Sequence, residues 1–276
     1  MWNPTRLLNN IKHMASTSGD AATKSGAEEI SPSLIPSIHL HCMVEDFISA
    51  FHSAAETHKL PSSVSITIHH DRLADLSPSV KFDAIVSPAN SYGCMNGGFD
   101  DALSRAFSPK DDYLALTRVV QAKLWTEWRG FAPPSSCTLV DLDAGTDEGD
   151  PKLAKNQWGC KYLALCPTMK VPQLVLWDRE VVYECVWALL ATVHRHNREV
   201  KQGRVIDGSH REIKHVLMTP LATGCGGWSP ERWAAQTVLA MKHFENEVDS
   251  GPVERRSMMT FRALAHKGEV EATYLL

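Results

Sequence analysis

Apolar residues fall into two alternating rhythms along this chain. Ile38-His-Leu-His-Cys42 and Val64-Ser-Ile-Thr-Ile68 alternate with period two and predict strands. Asp83-Ala-Ile-Val86 is a short apolar run closed by Pro88; the segments 137–141, 162–166 and 216–219 are further short runs of strand type. Between them the period lengthens. Phe47, Ile48, Phe51, Ala54 and Ala55 recur at helical spacing over residues 45–56, and Val182, Val186, Leu189, Leu190 and Val193 do so within 179–196. Helices are also predicted over 100–107, from Pro109 to about Trp128, and over 230–247. Strands alternating with helices across residues 38–248 predict an α/β fold. The expected form is a three-layer α/β/α sandwich around a mostly parallel, mixed central sheet.

Residues 1–36 lack sustained periodicity and are read as a disordered or weakly ordered tail, with one short helix expected near Leu7 to Met14. Residues 37–250 form one α/β domain with no internal repeat or linker. Residues 251–276 are a C-terminal segment in which Ser257 to Leu264 is either an added strand or a tail.

Composition narrows the function classes. The 276 residues carry a net charge of −4, which argues against direct nucleic-acid binding, since that usually needs a basic excess. No run approaches the roughly 18 apolar residues of a membrane span. Seven cysteines with no paired spacing read as reduced, space-filling thiols of an intracellular protein. A cytoplasmic or nuclear location is expected. Arg6, Lys12 and Lys24 against Asp20 give the first residues a loose likeness to a mitochondrial presequence, the less favoured reading.

Two segments stand out: residues 83–100, with Gly93, Gly97 and Gly98, and residues 217–228, with Gly224, Gly226 and Gly227. Each takes an apolar strand into a loop of small residues and then a helix. In a parallel α/β fold that arrangement presents main-chain N–H groups and a helix N-terminus to an anion. Two such loops suit a diphosphate. Neither is a phosphate loop of the Gly-Lys-Ser/Thr type, nor the Gly-x-Gly-x-x-Gly dinucleotide pattern. Asn90 offers an amide that both donates and accepts, fit for vicinal hydroxyls. Asp100 opens the following helix and has the chemistry to orient water or take a proton.

In order and spacing these pieces resemble the macrodomain family of ADP-ribose-binding α/β modules. The matching segments are Ala74-Asp75-Leu76-Ser77, Asp83-Ala-Ile-Val-Ser-Pro-Ala-Asn90, Gly97-Gly-Phe-Asp100 and Ala222-Thr-Gly-Cys-Gly-Gly227. The resemblance spans roughly residues 38–248. It implies that Asp75 accepts a hydrogen bond from the adenine amino group and that Asn90 holds the distal ribose. Gly97, Gly98 and their neighbours Ser87, Ala89 and Phe99 would line the sugar and phosphates. Thr223, Gly224, Cys225, Gly226 and Gly227 would wrap the diphosphate. Asp100 would be the catalytic acid or base, with Asn90 aligning the sugar. Several positions depart from the family pattern: Ser87 and Pro88 at the strand end, two consecutive glycines in the first loop, Ala222 and Gly226 in the second. Trp228 either stacks on a ribose or belongs to the core of the next helix.

The branch most similar processes ADP-ribose-1''-phosphate. The resemblance therefore implies binding of ADP-ribose or a derivative together with hydrolysis, as a phosphatase or ADP-ribosyl hydrolase. The alternative is a non-catalytic reader of ADP-ribose or of an ADP-ribosylated protein. No cofactor or metal is implied.

Other candidates have plainer readings. Cys94 and Cys225 fall in the loops and are read as space-filling. His69-His70-Asp71 and His194-Arg-His196 are read as surface groups, and Asp141, Asp143, Asp147, Glu148 and Asp150 as a solvated acidic loop. The segment 166–172 leaves a strand on the side of the two loops, which puts Met169 near a bound nucleotide.

Overall fold

The computed structural model describes residues 33–143, 152–204, 210–246 and 255–276, with side chains in the last segment described from residue 263. Six strands form one mixed sheet: β1 (Ser37–His41), β2 (Ile66–His69), β3 (Ala84–Ser87), β4 (Thr138–Asp141), β5 (Tyr162–Leu165) and β6 (His215–Met218). Their order is β2-β1-β6-β3-β5-β4. All neighbours are parallel except β4, which runs antiparallel to β5 at the edge. The central strands β3 and β5 are buried at every position, as their unbroken apolar runs require when helices cover both faces.

Among the described residues the α-helices are α1 (Glu45–Thr57), α2 (Gly98–Phe107), α3 (Ala115–Trp128), α4 (Val181–Lys201), α5 (Pro230–Asn246) and α6 (Arg255–Glu271). Strand side chains alternate between two cores. Ala84, Val86, Val216 and Met218 pack with α1, α4 and α5. Ile85, Leu163, Leu165 and Leu217 pack with α2 and α3. The three-layer sandwich is therefore as expected. Helix α5 is buried nearly all round, from Trp233 to Met241, because α1, α4 and α6 surround it on the sheet.

The structure corrects four readings. Helix α3 begins at Ala115, not Pro109: Asp112 N–H donates to the Pro109 carbonyl in a turn, and the Ser108 hydroxyl accepts from Leu116 N–H. The segment after residue 254 is helix α6 rather than a strand. Ala263, Ala265 and the Lys267–Glu271 pair one turn apart favour a helix, and Val270 and Thr273 are buried. Thr273 also accepts a hydrogen bond from Gln236 of α5. Order begins before residue 37, since Ile35 is core and Ser33 bonds Glu245. His69 is half-buried against His39, with ring nitrogens 2.9 Å apart. The short helix expected near Leu7 to Met14 and the acidic residues Asp147, Glu148 and Asp150 lie outside the described residues.

β3 and β6 are neighbours, yet the helices that follow them cover opposite faces of the sheet. Their carboxyl-end loops must therefore part, and a crevice opens between them.

Candidate functional site

That crevice is a cleft of about 1260 Å³. The ends of β1, β3, β5 and β6 floor it, and the starts of α1 and α2 wall it. Both glycine loops contribute. Ala89, Asn90, Gly97, Gly98, Phe99 and Asp100 line it from one side, and Thr223, Gly224, Cys225 and Gly226 from the other.

The second loop is shaped by backbone constraints. Ala222 sits at φ +60°, a conformation costing roughly 1–2 kcal/mol for a residue with a side chain. Its carbonyl accepts from Trp228 N–H at 3.2 Å, and Gly227 N–H donates to the Gly224 carbonyl at 3.1 Å, closing the loop on itself. A Cβ on Gly226 would lie 2.3 Å from the Ala222 carbonyl oxygen, so only glycine fits. Among the described residues, the N–H groups of Thr223, Gly224, Cys225 and Gly226 have no partner. Successive unpaired N–H groups of this kind form an anion-binding nest.

The first loop supplies a second array. Helix α2 has no side-chain cap at its N-terminus. The N–H groups of Gly98 and Phe99 lack partners within the helix, as first-turn groups must. They open on the same cleft and carry the positive end of the helix dipole.

Asp100 lies in that first turn, only 5% exposed. Burial pushes its carboxyl up to about 7, against the hydrogen bond that Ser87 donates to Oδ1 at 2.6 Å. A carboxyl poised there exchanges a proton near neutral pH.

Asn90 is placed as expected, but its amide is largely committed. Oδ1 accepts from the N–H groups of Tyr92 and Cys94, and Nδ2 donates to the Cys94 carbonyl at 3.0 Å. One N–H hydrogen remains for a ligand. The side chain first builds the loop and only then offers a contact.

Four expected site residues do not line the cleft. Ser87 is fully buried beneath Asp100 and acts through it. Asp75 ends a short 3-10 turn (Leu73–Asp75) and is exposed, while Arg72, Leu73 and Ala74 of the same turn face the cleft. Gly227 turns the chain at φ +78°, with Leu174 lying where a side chain would go. Trp228 is a core residue, 3% exposed, its Nε1–H donating to the Val175 carbonyl and the Arg232 guanidinium 4.0 Å above its ring.

Three further residues line the cleft, one expected and two that the sequence patterns passed over. Met169 lines it as expected, with the Cys225 thiol 3.5 Å from its sulfur. Beside it the Thr168 hydroxyl is buried without a partner. His41, at the end of β1, is 2% exposed with Nε2 unpartnered. The one sequence signal for both was their place at the carboxyl end of a parallel strand.

No family model matches the sequence. The chain is similar to solved macrodomain structures from Oceanobacillus iheyensis. One, with ADP, is 19% identical over 62% of this chain and 73% of that one, at a TM-score of 0.41. A mutant of that macrodomain with ADPR is 17% identical over 63% and 78%, at 0.43. The macrodomain with MES bound is 18% identical over 62% and 74%, at 0.41.

Proposed function

We propose that this protein binds ADP-ribose or a derivative of it and hydrolyses it. One observation carries the reading. Two arrays of unpartnered main-chain N–H groups, at 223–226 and at the start of α2, face one cleft that also holds a buried carboxyl titrating near neutrality. The motif resemblance to macrodomains supports the same ligand.

The nests take the diphosphate with dipoles rather than side-chain charge, in keeping with a chain of net charge −4. Fixing the diphosphate brings the distal sugar to Asn90 and Asp100. With ADP-ribose-1''-phosphate, water attacks phosphorus and the bond from phosphorus to O1'' breaks. Asp100 accepts a proton from the water and returns it to O1'', so the sugar leaves as the free hemiacetal. With an ADP-ribosylated acceptor, the same carboxyl directs water to C1''.

Calorimetry with ADP-ribose, and product release from ADP-ribose-1''-phosphate, test the two halves separately. Binding by wild type and Asp100→Asn with turnover only by wild type is the expected result. Binding without turnover by either makes the protein a reader. No binding at all removes the reading.

A further inference from the structure

The antiparallel edge of the sheet sets two cysteines opposite each other. β4 pairs β5 with Thr138 facing Leu165, so the next step of the register brings Cys137 to Cys166. Pairing continues past that step, since Ser135 N–H donates to the Pro167 carbonyl at 2.9 Å. Hydrogen-bonded and non-hydrogen-bonded pairs alternate in such a ladder, and the second kind brings the Cα atoms to about 4.5 Å. Leu142 N–H donates to the Lys161 carbonyl at 2.8 Å, which makes 142 and 161 a hydrogen-bonded pair. An odd number of steps along, 137 and 166 are a non-hydrogen-bonded pair. The direction of the Cys166 amide agrees: its N–H donates to the Ser87 carbonyl of β3 at 2.9 Å and so points away from β4. That spacing falls within the range of about 4.4–6.8 Å from which a disulfide closes.

Both side chains lie on the same face of the sheet. Cys166 belongs to the core that α4 covers, and Cys137 packs against that core. The two thiols hydrogen-bond to each other, with Cys185 of α4 beside them. The three are not equivalent. Cys166 and Cys185 are fully buried, while Cys137 is half-buried on the edge strand. The bond with Cys137, then burial, push the Cys166 thiol well above its ordinary range. The Cys185 thiol is turned to the Pro167 carbonyl, to which it donates at 3.4 Å. An oxidant from solvent therefore meets Cys137 first, and the partner across the ladder is Cys166.

We propose that Cys137 and Cys166 are a redox modification site, which a hydroperoxide converts to a cross-strand disulfide. The Cys137 sulfur attacks the O–O bond and becomes a sulfenic acid, and the second peroxide oxygen leaves with the thiol proton as water or an alcohol. The Cys166 sulfur then displaces hydroxide from the sulfenic sulfur, its own proton goes to that hydroxide, and water leaves. The two thiols give up two electrons and two protons, and the peroxide takes them. A low-molecular-weight thiol reverses the bond by exchange. Where thiols are kept reduced, a bond of this kind is transient. It fastens the edge strand to the segment that runs on through Thr168 and Met169 into the cleft.

The test treats the full chain with hydrogen peroxide under native conditions, caps free thiols and maps the unreduced digest by mass spectrometry. The expected result is a peptide joining Cys137 to Cys166 that lacks two hydrogens and is split by dithiothreitol, with free thiol lost at both positions at one rate. In Cys166→Ala, Cys137 is expected to stop at the sulfenic acid, which a dimedone-type probe labels. Cys185→Ala is expected to form the bond as wild type does. Cys137 left reduced, Cys137 overoxidised with Cys166 still free, or a Cys137–Cys185 peptide in its place overturns the proposal. Oxidation after unfolding in urea is expected to lose the preference for this pair, and its persistence there overturns the role of the ladder. The wild-type maps stand even if a variant fails to fold.

Discussion

The Ser87 hydroxyl donates to Asp100 Oδ1 at 2.6 Å, inside the protein, across the junction of strand β3 and helix α2. This bond favours the ionised carboxyl, while burial favours the protonated one, and burial prevails. Ser87→Ala removes the favouring partner. The Asp100 titration is then expected to move upward from about 7 by about one to two pH units, the worth of a hydrogen bond to a charged group. Carboxyl chemical shifts followed by NMR measure it directly, and the acid limb of the hydrolysis profile should move with it.

The same carboxyl leaves a mark on stability. Its folded-state pKa of about 7 lies above the ordinary 3.8, so the folded protein binds this proton more tightly than the unfolded chain. The contribution is fully favourable below about pH 4 and is lost as pH rises through 7, at a cost approaching 4 kcal/mol. Asp100→Asn should therefore unfold at higher denaturant than wild type at pH 8, with the difference shrinking toward pH 4. A difference that does not vary with pH would contradict the buried titration.

Gly226→Ala places a methyl against the Ala222 carbonyl, 2.3 Å from its oxygen in the present backbone. The loop must open to make room, which disperses the N–H groups of 223–226. Nucleotide affinity is expected to fall about a hundredfold or more, while the denaturation midpoint moves modestly because the strain sits in a loop. Calorimetry and urea titration on one sample separate the two.

How far the sequence foretold this arrangement depends on how local each determinant is. β3 and β5 were legible because strands buried on both faces show as unbroken apolar runs. The nest at 223–226 was legible because closed loops need glycine where backbones approach. For Asp75 the motif gives a position along the chain, while the 3-10 turn that carries it decides which side chains face inward. His41 was missed because its burial comes from β2, from the 71–72 turn and from Phe99, all distant in sequence. Helix α6 escaped because short amphipathic runs suit either period until α5 supplies the surface they pack on.

Helix α6 meets α5 through His243, which is 1% exposed and stacked on His266 with centroids 3.8 Å apart. Burial, then the His266 ring, push its pKa down to about 4, against Glu269 and alongside Lys242. Because the folded value lies below the ordinary 6.5, this part of the stability is present above pH 6.5 and is lost as pH falls toward 4. Hydrogen exchange should show α6 amides losing protection over that range before those of β3 do.

The thiols offer an inexpensive check on the cleft. Cys94 and Cys225 are exposed, while Cys42, Cys160, Cys166 and Cys185 are buried. A thiol reagent should modify the first two within minutes and the buried four only on unfolding. Both fast residues line the cleft, so saturating ADP-ribose should slow them. Equal rates with and without nucleotide would place the ligand elsewhere.

The second glycine loop and the segment after β5 are joined at several points. Val175 N–H donates to the Gly226 carbonyl at 3.0 Å, Trp228 Nε1–H reaches back to the Val175 carbonyl, and Leu174 fills the space left by Gly227. The segment also carries Leu174, Leu176 and Trp177 on the outer surface, with Trp177 68% exposed. A ligand that shifts the nest is therefore expected to shift the segment that carries this exposed indole. Addition of ADP-ribose should then change tryptophan fluorescence in wild type and much less in Trp177→Phe, since seven other tryptophans remain as background.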